Sequence, residues 1–295
     1  MHPIAFDLGS LPIRWYGLMM ALAFFAGLWT ATRRARLANV SGEVIADVTL
    51  WLMGGSILGA RFVYVTTYWK QEFADQPFRE VFMIQHGGLV YYGGLIGATV
   101  FGVGYLLWKK LPVWKIADII APSIALGSVF GRIGCLLNGC CYGRACSLPW
   151  AIHFPAEHDT HGAGVHPTEI YDALLNFLLY LTLAWLFRRD WKSRMQDWGW
   201  KIEGEQRAKS PSSILHSPSS FADGQIFALY LIGYAICRSI VEFFRGDYPP
   251  DHIHAGFFTS AQLLSLPILV AGIALWFWFS RRSEAPPTAP VEKKG

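Results

Sequence analysis

Ile116–Leu137, IADIIAPSIALGSVFGRIGCLL, is an apolar run interrupted by only two charges, Asp118 and Arg132. It has the roughly twenty residues that an α-helix needs to cross a bilayer core. Apolar and polar residues do not alternate along it, so a helix fits and a barrel strand does not. Six further runs of the same kind lie on either side. They are Ile13 to Ala31, Val48 to Tyr68, Leu89 to Trp108, Ile170 to Phe187, Ile226 to Phe244 and Leu263 to Phe279. The chain is 53% hydrophobic and 16% charged, whereas a soluble domain carries about a quarter charged residues. Its 13 Trp and 12 Tyr suit the interfaces, where an apolar ring with one polar atom is comfortable. The expected fold is an all-α polytopic membrane protein with about seven transmembrane helices.

The basic residues set the expected orientation. Arg33, Arg34 and Arg36 follow the first run, and Lys109 and Lys110 the third. Arg188, Arg189, Lys192 and Arg194 follow the fifth, and Arg281 and Arg282 the seventh. Every cluster thus falls on one side, which the positive-inside rule makes cytoplasmic. The N-terminus is then periplasmic and the C-terminus cytoplasmic. No basic residues precede the first run, an order that argues against a cleaved signal peptide. The net charge of +4 is small, and nothing in its distribution points to nucleic acid.

A single transmembrane catalytic domain is expected over 1–283. Within it, 138–167 mixes Gly, Pro, His and Cys with aromatics and reads as a small periplasmic head. Residues 195–222 are polar and Ser/Pro-rich and read as a flexible cytoplasmic linker, and 284–295 as a disordered tail.

Charges inside apolar helices point to function, because each is costly unless paired or wetted. In the sixth run Tyr234, Arg238, Glu242 and Arg245 recur at spacings that put them on one helical face. The alternative is an Arg238–Glu242 pair that only locks helix packing. The fourth run ends in Gly131-Arg132-Ile133-Gly134-Cys135-Leu136-Leu137-Asn138-Gly139-Cys140-Cys141-Tyr142-Gly143. Glycines around an arginine let a ligand approach closely, and a guanidinium grips a phosphate through two parallel hydrogen bonds. Arg132 and Arg238, on different helices, would hold one phosphodiester. Alternatively, Arg132 pairs with Asp118 or Glu242 as structural glue.

Five cysteines are present, four of them clustered as Cys135, Cys140, Cys141 and Cys146. Their spacing matches no standard zinc pattern, and packing or a disulfide is favoured over a metal. His166-Pro167-Thr168-Glu169-Ile170-Tyr171 opens the fifth run. There Thr168 is placed to cap the helix, and Glu169 suits its dipole. His166 sits at the depth of the head, with a capping or packing role as its alternative.

These motifs resemble the prolipoprotein diacylglyceryl transferase family along nearly the whole chain. The resemblance runs from Arg14-Trp15-Tyr16-Gly17-Leu18-Met19 to Gln262-Leu263-Leu264-Ser265-Leu266-Pro267. It includes Gly59-Ala60-Arg61, Gly93-Gly94-Leu95-Ile96-Gly97 and Asp118-Ile119-Ile120-Ala121-Pro122. It implies a bacterial inner-membrane enzyme that moves the diacylglyceryl group of phosphatidylglycerol to the lipobox cysteine in the signal peptide of a preprolipoprotein. A thioether forms, glycerol phosphate leaves, and no metal or organic cofactor is required. The implied catalytic residues are Arg132, Arg238, Tyr92, Tyr234 and Glu242. The implied substrate-binding residues are Arg132, Tyr16, Asn138, Gly143, Arg245, His166 and Arg61. Two positions depart from the family pattern. Tyr92 stands where well-known members have a histidine that is a candidate base, which leaves His86, His166 and Glu242 as alternatives. Cys135 and Cys140 stand where Asn and Glu are common. Another lipid-processing enzyme is the nearer rival reading. A small transporter is the more distant one, since no inverted repeat or broken half-helix is visible.

Overall fold

The computed structural model describes residues 4–7, 12–74, 76–83, 87–207, 221–246, 253–254 and 258–283. Seven long helices carry the chain: α1 Trp15–Leu37, α2 Gly42–Tyr68, α3 Tyr91–Trp108, α4 Val113–Asn138, α5 Thr168–Arg207, α6 Gln225–Glu242 and α7 Ser260–Ser283. Among the described residues, strand is confined to three two-stranded antiparallel pairs. These are β1 Ile4–Asp7 with β2 Pro12–Arg14, β3 Ile152–His153 with β4 Gly164–Val165, and β5 Ile253–His254 with β6 Phe258–Thr259. Six of the helices are long and apolar enough to cross a membrane. The seventh, α3, is an 18-residue helix whose five glycines and three tyrosines dilute its apolarity. The chain is an all-α, multi-pass membrane protein.

Two compact units make up the fold: residues 1–27 with 117–295, and residues 28–116. The division falls inside α1 and inside α4.

In the smaller unit, Ser41 caps α2 by accepting the Glu43 N–H at 3.2 Å. Helices α2 and α3 meet at glycines. A Cβ on Gly59 would stand 2.3 Å from the Gly93 carbonyl oxygen, and one on Gly97 would stand 2.2 Å from that of Gly55. Apolar helices in lipid gain little by hiding from water, so backbone-close packing of this kind is what joins them. Beside the seam Trp51 stacks on Phe101 and Tyr105, and the Tyr105 hydroxyl donates to Asp47 Oδ2 at 2.7 Å. A π-turn (Trp69–Phe73) and a 3-10 turn (Phe78–Phe82) carry the chain toward α3.

In the larger unit α6 packs against α5 and α7. Its start is set by Asp118 of α4, whose carboxylate accepts the Gly224 N–H at 2.7 Å and the Phe227 N–H at 2.8 Å. Asp118 is therefore a cap for α6 and not the partner of Arg132. A negative charge there also suits the positive end of the helix dipole. Gln225 accepts from the Ala222 N–H at 2.7 Å and donates to Ser280 Oγ of α7 at 2.8 Å. Thr259 and Gln262 form a capping box at the start of α7, each accepting the other's backbone N–H.

Helix α5 continues to Arg207, into the segment that the sequence reads as linker. Residues 208–220 of that segment and the tail 284–295 lie outside the described residues.

Candidate active site

One row of alternating charges joins α4, α5 and α6. Arg132 Nε lies 2.8 Å from Asp172 Oδ2, Arg238 Nη1 lies 4.0 Å from the same oxygen, and Arg238 Nη2 lies 2.9 Å from Glu242 Oε2. Both carboxylates of the row are anchored. Asn176, one turn beyond Asp172, donates to Asp172 Oδ1 at 2.6 Å, and Thr259 Oγ1 donates to Glu242 Oε1 at 2.5 Å. The side chains of Asp172, Arg238 and Glu242 are 4%, 10% and 0% exposed, whereas that of Arg132 is 22% exposed. Two cations and two anions cancel within the buried row, which is what makes their burial tolerable. Arg132 is the most exposed member of the row.

The expected Arg238–Glu242 pair on one face of α6 is present. The partner of Arg132 is instead Asp172, which the sequence reading passed over. The same rule that singles out Arg238 finds it, since a carboxylate in the first turns of an apolar helix is equally anomalous. Tyr234 lies on α6 one turn before Arg238, with its ring 6.0 Å from that of Tyr230.

The chain after α4 turns sharply. Gly139 and Cys141 both take left-handed backbone conformations, with φ of 75° and 71°. Cys141 lacks the freedom of glycine, so this conformation must be held from outside. Thr168 Oγ1 donates to the Cys141 carbonyl at 2.6 Å, and His158 Nε2 meets the Gly139 carbonyl at 2.7 Å. The Thr168 hydroxyl thus ties the head to α5 and does not cap its own helix.

The head is then stitched to the end of α6. Gly143 donates to the His166 carbonyl at 2.9 Å, Arg144 donates to that of Phe244 at 2.9 Å, and His166 donates to that of Arg144 at 3.0 Å. A Cβ on Gly143 would lie 2.5 Å from His166 Cβ and 2.7 Å from the Phe244 oxygen. Only glycine fits there, for a packing reason. The Arg144 Nε–H reaches the Arg245 carbonyl at 3.0 Å. The His166 ring packs 5.4 Å from Phe244, with Nδ1 3.3 Å from the Tyr171 hydroxyl. His166, Gly143 and Arg245 therefore meet at one seam beside the charged row.

Tyr16 of α1 packs over Gly134, where a Cβ would stand 3.1 Å from the tyrosine ring. Asn138 Nδ2 lies 3.7 Å from Cys140 Sγ. All five cysteines are free thiols. The sulfurs of Cys135, Cys140 and Cys141 lie within 4.8 Å of one another. Hydrogen bonds from Cys135 and Cys140, with Arg245 and Arg132 nearby, hold the Cys141 thiol well below its ordinary pKa.

The other two expected site residues belong to the smaller unit. Tyr92 is the second residue of α3 and is 48% exposed, with its ring 5.7 Å from that of Tyr91. Arg61 is buried in α2, and its guanidinium donates to the carbonyls of Glu80 (2.6 Å), Val81 (2.8 Å), Gly87 (2.6 Å) and Gly88 (3.2 Å). It gathers the strand of backbone leading into α3, so any part it takes in substrate binding runs through that loop. His86 lies outside the described residues.

The family profile for prolipoprotein diacylglyceryl transferase matches residues 3–200 and 212–278. The gap between these matches falls within the segment expected to be a linker. Curated proteins named phosphatidylglycerol–prolipoprotein diacylglyceryl transferase are similar over nearly their full length. The one from Idiomarina loihiensis is 34% identical over 93% of this chain and 92% of its own. That from Synechococcus elongatus is 31% identical over 95% and 89%, and that from Finegoldia magna is 31% identical over 96% and 97%. With a profile matched across most of its length and relatives of this identity, the chain is a multi-pass membrane transferase belonging to the prolipoprotein diacylglyceryl transferase family.

Proposed function

We propose that this chain carries out the first step of bacterial lipoprotein maturation, transferring the diacylglyceryl group of phosphatidylglycerol to the thiol of a lipobox cysteine in a preprolipoprotein. The observation that carries the reading is the row Arg132–Asp172–Arg238–Glu242, with two guanidiniums from different helices held against one buried carboxylate. In the reaction the acceptor thiol gives up its proton to solvent, its sulfur attacks the glyceryl carbon, the bond from that carbon to the phosphate oxygen breaks, and glycerol phosphate leaves with the electron pair. A diester becomes a monoester, and charge grows on the departing phosphate. Cations fixed beforehand stabilise that growth without reorganising.

In this reading Arg132, the exposed member, grips the phosphate, and Arg238 supplies the second positive charge behind it. Asp172 and Glu242 hold the two guanidiniums in place and aim them. Tyr16, Asn138, Gly143, His166 and Arg245 line the approach, Tyr234 flanks Arg238, and Arg61 shapes the loop before α3. Tyr92 acts as a hydrogen-bond donor, since its hydroxyl carries a proton to donate and a phenol is a poor general base. All the basic clusters follow odd-numbered helices, and the site lies at the ends of the even-numbered α4 and α6. The positive-inside rule therefore puts the site on the periplasmic side of the inner membrane.

The test is lipid transfer by purified protein in phosphatidylglycerol micelles to a peptide bearing a lipobox cysteine. The expected result is a diacylglyceryl mass gain on the cysteine peptide, none on its serine analogue, and stoichiometric glycerol phosphate. Glycerol phosphate release without peptide modification assigns a lipid hydrolase instead.

A further inference from the structure

The three sulfurs gathered after α4 have no role in the chemistry just described. They come from two places in the chain: Cys135 in the last turn of α4, and Cys140 and Cys141 in the turn that follows. Yet all three lie within 4.8 Å of one another. Three thiolates on one tetrahedral zinc-class ion, with zinc–sulfur bonds of about 2.3 Å, sit roughly 3.8 Å apart. Thiols gathered within 4.8 Å of one another need to close by no more than about 1 Å to reach it. A disulfide, at about 2 Å, would join two of them and strand the third.

The turn is built to keep this spacing. Cys141 is held at a φ of 71° by Thr168 on its carbonyl, while His158 fixes the Gly139 carbonyl. A non-glycine residue pinned in that region is the kind of strain found where a side chain must be aimed. His158 cannot serve as a further ligand, since its Nδ1 is taken by Thr160 at 3.1 Å and its Nε2 by Gly139. Among the described residues no fourth protein ligand joins the trio. Three protein ligands with one open position is the arrangement of a catalytic, not a structural, zinc site.

We propose that Cys135, Cys140 and Cys141 form a three-thiolate site for a zinc-class ion whose fourth position receives the acceptor thiol of the protein substrate. This second part rests on the transferase reading above. Binding replaces the sulfur–hydrogen bond of the substrate cysteine with a sulfur–metal bond and releases the proton to solvent, since a coordinated thiol is deprotonated outright. The sulfur then forms its bond to the glyceryl carbon as the carbon–oxygen bond breaks. The neutral thioether leaves the ion, and the departing phosphate keeps the electron pair. No oxidation state changes. The ion with three thiolates carries one net negative charge, and Arg132 lies three residues before Cys135 on the same face of α4. The acceptor sulfur would thereby be presented next to the arginine that grips the lipid phosphate. It would also be ionised without a side-chain base.

The experiment uses the full chain, purified in detergent and reduced, with cadmium as the probe because thiolate–cadmium bonds absorb in the ultraviolet. One equivalent is expected to bind with a thiolate charge-transfer band. Cys140→Ser should lower that band by about a third, and Cys146→Ser and Cys237→Ser should leave it unchanged. Adding a lipobox peptide should raise the band further, and its serine analogue should not. Should Cys140→Ser fail to fold, alkylation of the wild-type chain decides. Zinc must then shield Cys135, Cys140 and Cys141 but not Cys146, and a chelator must reverse the shielding. The site is overturned by absence of stoichiometric uptake, by a band indifferent to Cys140→Ser, or by a disulfide within the trio in protein trapped with acid at lysis. A bound ion whose band ignores the cysteine peptide overturns the open position. None of these readouts needs lipid, so a protein that binds cadmium as described but transfers nothing would defeat the transferase reading and leave the metal site standing.

Discussion

Asp172 Oδ2 lies 2.8 Å from Arg132 Nε, and this contact ties the most exposed charge of the row to its buried members. A lysine at either arginine position keeps the charge but loses the planar fork. Arg132→Lys and Arg238→Lys are expected to fold and to lose about a hundredfold or more in transfer rate, equivalent to one strong contact in the transition state. Asp172→Asn leaves two guanidiniums facing a neutral amide. It should cost about 3–5 kcal/mol of stability and most of the activity. Thermal unfolding and turnover at saturating lipid measure both. Near-normal turnover in both lysine variants would reduce the arginines to packing.

Tyr92 should help without being indispensable. Tyr92→Phe removes only the hydroxyl of a half-exposed ring, so turnover should fall while remaining measurable. Tyr92→His tests whether a base at this position speeds the reaction. A neutral Tyr92→Phe would leave Tyr92 with packing alone and move attention to His86, His166 or Glu242.

The α2–α3 seam predicts a stability defect remote from the chemistry. Gly97→Ala would drive a methyl to 2.2 Å from the Gly55 carbonyl oxygen, and backbone cannot swing aside as a side chain can. A loss of about 1–3 kcal/mol or more is expected, read as a lower unfolding temperature in detergent. Gly104→Ala, where a Cβ meets nothing within 4 Å, is the matched control and should be silent.

Orientation is tested by a reporter active only outside the cytoplasm. Fused after Lys192 it should be silent, and fused near His158 it should be active. The reverse pattern would put the site on the cytoplasmic face.

The spans were legible because each is a long apolar run punctuated by charge. The Arg238–Glu242 pair was legible because four-residue spacing is local. What escaped the sequence is what closes across distance. Asp118 caps a helix that begins more than a hundred residues later, so nothing near it marks the partner. The carbonyls that hold Arg61 lie 19 to 27 residues away and are chemically anonymous. The cysteine trio depends on two left-handed residues that its spacing alone does not announce. Asp172 is different, because it sat in an apolar helix in plain view.

The Asp118 clasp on α6 has a consequence for inheritance. It fixes where that helix begins, and Arg238 follows thirteen residues and about 20 Å later. A slip of one residue at the start would turn Arg238 by about 100° about the axis, away from Asp172. Heat loosens such a clasp before it melts a packed helix. Screens for strains that process lipoproteins at low temperature but not at high should therefore return lesions at Asp118, at the opposite end of α4 from Arg132.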